Sequence, residues 1–130
     1  MNIMKKKISA LMMLFALSLL AGCSSGYKDG TYEGKSSPDE DGEYATVKIT
    51  VADNVITDCV FKTFESNGEE KGENYAKSSE EAAVAVASVA EYEKQLKQTG
   101  DIAQVDSISG ATQNYNQLNE AVYDALSKAN

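Results

Sequence analysis

Seven consecutive residues, Asp106-Ser107-Ile108-Ser109-Gly110-Ala111-Thr112, hold the densest chemistry in the chain. They offer one carboxylate, two serine hydroxyls, a threonine hydroxyl and a glycine–alanine pair with little side-chain bulk. An amphipathic segment follows at once, with Tyr115, Leu118, Val122, Ala125 and Leu126 at helical spacing. A helix start carries unpaired backbone N–H groups and the positive end of the helix dipole, so the loop suits an anion such as phosphate. Gly110 lets the backbone turn and approach a ligand, and Ala111 keeps the space beside Thr112 open. The plainer reading is a polar turn in which Thr112 or Asn114 caps the helix.

The residues that are missing narrow the choice. The chain has no histidine, arginine or tryptophan. Without histidine a Ser/His nucleophile system is excluded, and no carboxylate pair stands out for acid–base work. No cluster of soft ligands suggests a metal. Without arginine no bidentate clamp can hold a phosphate, which leaves backbone N–H groups, hydroxyls, lysine or a covalent bond.

The first residues read as an export signal. Met1 to Lys7 hold three lysines and no acid, and an apolar run follows from Ile8 to Ala21. That run is short for a membrane-spanning helix. It ends in Leu20-Ala21-Gly22-Cys23, which resembles the lipobox of bacterial lipoproteins. The resemblance implies a diacylglyceryl group on Cys23, which would become the first mature residue. Cys59 then has no partner for a disulfide, and its place in a strand suits a buried small hydrophobe.

Residues 23–130 carry nine lysines against twenty acids, a net charge of −11. Such a surface disfavours nucleic acid and anionic lipid headgroups, and keeps the protein soluble and monomeric. One domain with a modest core fits this length.

The local patterns position the loop. Asp29 to Gly34 reads as a short strand. Ala45, Val47, Ile49 and Val51 alternate with polar neighbours, Asp53-Asn54 make a turn, and Val55 to about Phe64 form the returning strand. Ser66 to Lys77 reads as loop. Ser78-Ser79-Glu80-Glu81 starts a helix that runs to about Gln98 and stops at Thr99-Gly100. Its middle, Ala82 to Ala90, is apolar nearly all round and predicts deep packing against the sheet. Ile102 to Ile108 suggests an edge strand, and the last helix covers about Gln113 to Lys128. The order predicts an α+β domain, a small antiparallel sheet with two helices packed on one face.

The pattern D-x-x-S-G-A-T ending at Thr112 resembles the flavin-attachment motif of the FMN-binding domain family. Asp29-Gly30-Thr31-Tyr32-Glu33-Gly34 and the hairpin are similar to that family's opening and core. The family includes flavin-bearing subunits of sodium-pumping NADH:quinone reductases and Rnf complexes, and small surface lipoproteins of extracellular electron transfer. This chain looks most like the last group. It has Glu65-Ser66-Asn67-Gly68 where some members carry threonine-proline-glycine, and Gln113-Asn114 where the typical motif continues in Ser/Thr.

The resemblance implies FMN joined to Thr112 through a phosphoester by a flavin transferase that uses FAD. Asp106, Ser109, Gly110 and Ala111 would complete the cofactor loop, with Asp106 part of what the transferase recognises. It divides the chain into a lipoprotein signal peptide (1–22), the lipidated Cys23 with a short tether (23–28), and an FMN-binding domain (29–130). The implied function is a lipid-anchored electron carrier, rather than a catalyst, on the extracytoplasmic face of a bacterial membrane. It would take electrons from a membrane donor and pass them to an external flavin, flavoprotein or ferric acceptor. A non-redox lipoprotein that binds free flavin or another small ligand is the alternative.

Overall fold

The computed structural model describes residues 26–130. The export signal (1–22) and Cys23 lie outside the described residues. Three antiparallel strands, β1 (Gly30–Lys35), β2 (Tyr44–Ala52) and β3 (Val55–Phe64), pair in that order. Three helices follow, α1 (Glu73–Ala76), α2 (Glu80–Thr99) and α3 (Thr112–Leu126), with a 3-10 turn at Ile102–Gln104.

Alternation sorts the sheet into two faces, because successive side chains in a strand point opposite ways. Ala45, Val47, Ile49 and Val51 of β2 and Ile56, Cys59 and Phe61 of β3 are all buried on one face. Ala52 pairs with Val55 across a two-residue turn in which Asp53 and Asn54 both have positive φ, 52° and 68°. That left-handed pair matches the twist of the flanking strands. A register shift at Thr50/Val51 keeps the inward residues of both strands on one side despite an extra residue in β3.

Both helices pack on the inner face, as the sequence predicts. α3 crosses β1 and β2, and α2 lies over β3. Gly34 is where α3 meets the sheet: a Cβ there would stand 2.0 Å from the Ala121 carbonyl oxygen, so only glycine allows this approach. Ser79 caps α2 by accepting a hydrogen bond from the Ala82 N–H at 3.0 Å, and Gly100 closes it at φ 70°.

Three local expectations need correction. The run Ala82–Ala90 does not pack deeply: within it only Ala82 and Ser88 are buried, and Val84 is 41% exposed. The depth comes instead from Tyr92 and Leu96. A three-stranded sheet supports one side of a helix over its edge strand, so hydrophobicity on the opposite side stays at the surface. Ile102 to Ile108 is not an edge strand. Its first residues form the 3-10 turn capped by the Asp101 carboxylate, which accepts from the Ala103 N–H. Burial of Ile102 and Val105 anchors this segment from below, with no strand beside it. Finally, the loop read at Ser66–Lys77 contains α1, whose four residues are too few to show a helical period.

The ends of the sheet differ. At the Asp53–Asn54 end, the Tyr27 N–H donates to Asn54 Oδ1 (2.8 Å) and the Lys28 N–H donates to the Ala129 carbonyl (2.7 Å). The start of α3 lies at the other end, where Gln117 Nε2 donates to the Glu43 carbonyl. β2 spans nine residues, so the two ends are roughly 25–30 Å apart.

Candidate functional site

The segment Asp106–Thr112 is held by backbone contacts from α2. The Gln95 side chain pairs with Asp106 as one amide with another: Oε1 accepts from the Asp106 N–H at 2.8 Å and Nε2 donates to its carbonyl at 3.3 Å. Three residues earlier, one helical turn away on the same side, the Tyr92 hydroxyl bridges the loop. It accepts from the Ile108 N–H at 2.9 Å and donates to the Ala111 carbonyl at 3.0 Å. Tyr92 is fully buried, with Phe61 edge-on at 6.4 Å and Tyr115 tilted at 6.2 Å between ring centroids. A buried phenol needs partners for its hydroxyl, and here both are main-chain groups of the loop.

Between those two points the chain turns. The Ala111 N–H donates to the Ile108 carbonyl at 2.9 Å, and Gly110 takes φ 83° in the third position of the turn. A type II turn demands positive φ there. A Cβ on Gly110 would also come within 3.2 Å of Val84 Cγ1, so the turn rests against α2.

Ala111 is the residue preceding α3, and no side chain caps the helix. Thr112 is its first residue and is exposed. The capping role weighed for Thr112 or Asn114 is therefore not taken. Asn114 instead turns inward: its Nδ2 donates to the Ala85 carbonyl at 2.9 Å and to Ser88 Oγ at 3.0 Å, joining α3 to α2. Asp106, Ser109 and Gly110 are exposed, whereas Ala111 is buried. Only the backbone of Asp106 is tied to Gln95, so the carboxylate does not brace the loop as an Asx turn would. Tyr115 is partly buried against the core, which is the packing role its spacing predicts.

The start of α3 faces a small cavity of about 190 Å³ lined by Lys71, Tyr75, Gly110, Ala111 and Gln113 among others. Lys71 is buried and donates to Glu43 Oε1 at 2.7 Å, with Nζ 4.8 Å from the Tyr75 ring centre. Nearby, one oxygen of each of Asp39, Asp41 and Glu43 falls within 4.8 Å of the others. Two of those carboxylates already have internal donors. Asp39 accepts from the Asp41 and Glu43 N–H groups and from the Gln113 amide, and Glu43 accepts from Lys71.

Cys59 is buried, and burial first, with Glu93 and Asp58 nearby, pushes its thiol up to about 12. An unreactive thiol on the core face of β3 matches its reading as a small hydrophobe.

Sequence reasoning missed Tyr92, Gln95, Lys71 and Glu43. Tyr92 and Gln95 had a readable sign, a polar-tipped pair three residues apart in a helix otherwise rich in alanine. Lys71 and Glu43 had none, since their pairing joins residues 28 apart in the chain.

These features fit a flavin phosphate attached at Thr112. The helix start is uncapped, the turn is glycine-shaped, and the threonine hydroxyl stands at the surface on a firmly held backbone. A search of curated proteins finds no match. Among solved structures, the crystal structure of the CPE2226 protein from Clostridium perfringens is similar, with a TM-score of 0.66 and 25% identity. The likeness covers 79% of this chain and 88% of that one. The model of the FMN-binding domain matches residues 42–127, from the second strand's approach through the loop to the end of α3. With two thirds of its length matched, the chain belongs to the FMN-binding domain family.

Proposed function

We propose that Thr112 carries FMN through a phosphoester, and that the protein is a lipid-anchored electron carrier on the extracytoplasmic face of a bacterial membrane. The observation that carries this reading is the exposed Thr112 hydroxyl at an uncapped helix start, on a loop fixed at Asp106, Ile108 and Ala111 by α2. Attachment would join the Thr112 oxygen to the phosphorus of the FMN half of FAD, with AMP leaving. The open N–H groups of α3 would then lie beside the phosphodiester charge.

Bound flavin supplies one- and two-electron chemistry. The protein's part is to fix the attachment point and set the surrounding charge. The nine lysines and twenty acids of residues 23–130 lower the affinity for electrons, so added salt should raise the reduction potential. Maturation calls for a flavin transferase, with Asp106 among the groups it recognises. A membrane electron donor and an external flavin, flavoprotein or ferric acceptor would complete the relay. The chain enters the fold at the end opposite Thr112, so a lipid on Cys23 would leave the flavin loop uncovered.

Intact mass of the full chain co-expressed with a flavin transferase tests the reading. Gain of one FMN on the native chain, and none on Thr112→Ala, supports it. No gain on either chain would leave the loop as a polar turn and favour the non-redox binding lipoprotein.

A further inference from the structure

The outer face of the sheet carries charge unlike the rest of the molecule. Lys35 on β1, Lys48 on β2 and Lys62 on β3 are all exposed there. Lys35 and Lys62 both pair with Thr46, one from each side, and Lys48 lies two residues further along β2. Three cations thus crowd one patch of three adjacent strands. Lys48 has Glu33 directly opposite on β1, and Lys35 and Lys62 lie on the diagonals from it. Yet among the described residues the only ion pairs are Lys71–Glu43 and Lys128–Asp124, and none involves these three lysines.

Together with Lys128, Glu33 and the 43%-exposed Val60, they line a shallow groove of about 420 Å³. Glu33 and Asp58 are the acids on this face, so cations outnumber acids there. Elsewhere in residues 23–130 five lysines face eighteen acids, counting Asp124 beside Lys128. A chain this acidic has ample carboxylates to neutralise the three lysines, yet only Lys48 has one opposite it, and Lys35 and Lys62 face Thr46.

We infer that this face docks on anionic phospholipid headgroups of the membrane that holds the protein. The inference rests on the proposed lipid anchor at Cys23. Tyr27 is already bonded into the fold, so few residues separate that anchor from the domain. From Cys23 to Tyr27 the chain reaches at most about 14 Å, within two Debye lengths at physiological salt. Whichever face comes within that range feels the headgroup charge, which repels the acidic surfaces and attracts this one. Docking lays the sheet on the lipid and leaves the helical layer, with Thr112 in it, on the far side. Overall acidity predicts avoidance of anionic lipid; the distribution of the lysines reverses that prediction for one face.

Amine-reactive labelling of the lipidated full chain, read residue by residue by mass spectrometry, tests this. Vesicles of phosphatidylglycerol are compared with vesicles of phosphatidylcholine. Labelling of Lys35, Lys48 and Lys62 should slow several-fold in the anionic vesicles and recover at high salt, while Lys77 and Lys94 stay unchanged. Equal labelling in the two lipids would overturn the inference. So would protection that persists in neutral vesicles and grows with protein concentration, which would assign the face to a second, acidic copy.

The Cys23→Ser full chain separates this test from the anchor. If it partitions with neutral phosphatidylcholine vesicles as the native chain does, the anchor reading fails on its own. Its binding to anionic vesicles still reports on the face, and Lys35→Glu/Lys48→Glu/Lys62→Glu should weaken that binding on the order of a hundredfold. These side chains lie outside the core, so an unchanged melting temperature shows that the variant is folded. Unchanged binding by a folded variant would also overturn the inference.

Discussion

Two helices start at the same end of this molecule, and they start differently. α2 begins conventionally, with Ser79 accepting from the Ala82 N–H and two glutamates in the first turn. α3 begins with Ala111, no side-chain cap and no acid in the first turn. The first start is satisfied by its own side chains. The second is left open to solvent, and its approach is fixed through Tyr92 and Gln95 instead. The contrast separates a helix start closed by its own side chains from one that, in the proposed function, stays available for the phosphate.

Substitution of Thr112 should break the contrast most completely. Thr112→Ala is expected to abolish covalent FMN on the open start, read by intact mass, while Ser79→Ala at the closed start leaves incorporation unchanged. If Ser79→Ala abolished flavin as well, the two starts would not be functionally distinct.

Next in size is the support beneath the loop. Tyr92→Phe removes the hydroxyl and leaves the Ile108 N–H without its partner, while the Ala111 carbonyl keeps the Tyr115 N–H. An unsatisfied buried group costs about 1–3 kcal/mol, so a fall in unfolding free energy of about that size is expected in denaturant titration. Incorporation of flavin should slow in the same variant under conditions where it remains folded. Full stability in Tyr92→Phe would mean that the loop holds itself.

Ser79→Ala should cost about 1 kcal/mol, the usual value of a lost N-cap, and nothing else. Adding a cap to the open start by Ala111→Ser should do the reverse. A modest gain in stability is expected there, with a loss in flavin incorporation if the free N–H groups serve the phosphate.

The last effect comes from the core and appears only in alkali. Cys59 has its folded-state thiol raised from 9.0 to about 12, so the folded chain holds a proton that the unfolded chain releases above pH 9. Stability is therefore unaffected below pH 9 and falls between pH 9 and 12, by up to about 1.4 kcal/mol per pH unit from this group. Cys59→Ala should flatten that part of the stability curve at the expense of a small cavity. A native chain whose stability is level from pH 9 to 11 would contradict this.

The hairpin, the helix boundaries at Ser79 and Gly100, and the fold class were legible because they are written locally. Alternation, turn residues and caps each act within a few positions. The seven-residue loop was legible for the same reason. What escaped was set by the third dimension: α1 was too short to show a period, and the segment after Gly100 looked like a strand but found no neighbour to pair with. The run Ala82–Ala90 looked like core, yet the sheet beneath it was too narrow to cover more than one side.

The sequence by itself therefore determined the strands, both long helices and the chemical character of the loop at Thr112. Hydrophobic period, turn propensity and capping are properties of neighbouring residues, and they need no partner from elsewhere in the chain. Only the tertiary structure decided that Tyr92 and Gln95 hold the loop, that Lys71 pairs with Glu43, and that Lys35, Lys48 and Lys62 share one uncovered face. Each of these depends on strand register or on how two elements cross. Those are fixed by packing over the whole core, not by the residues on either side.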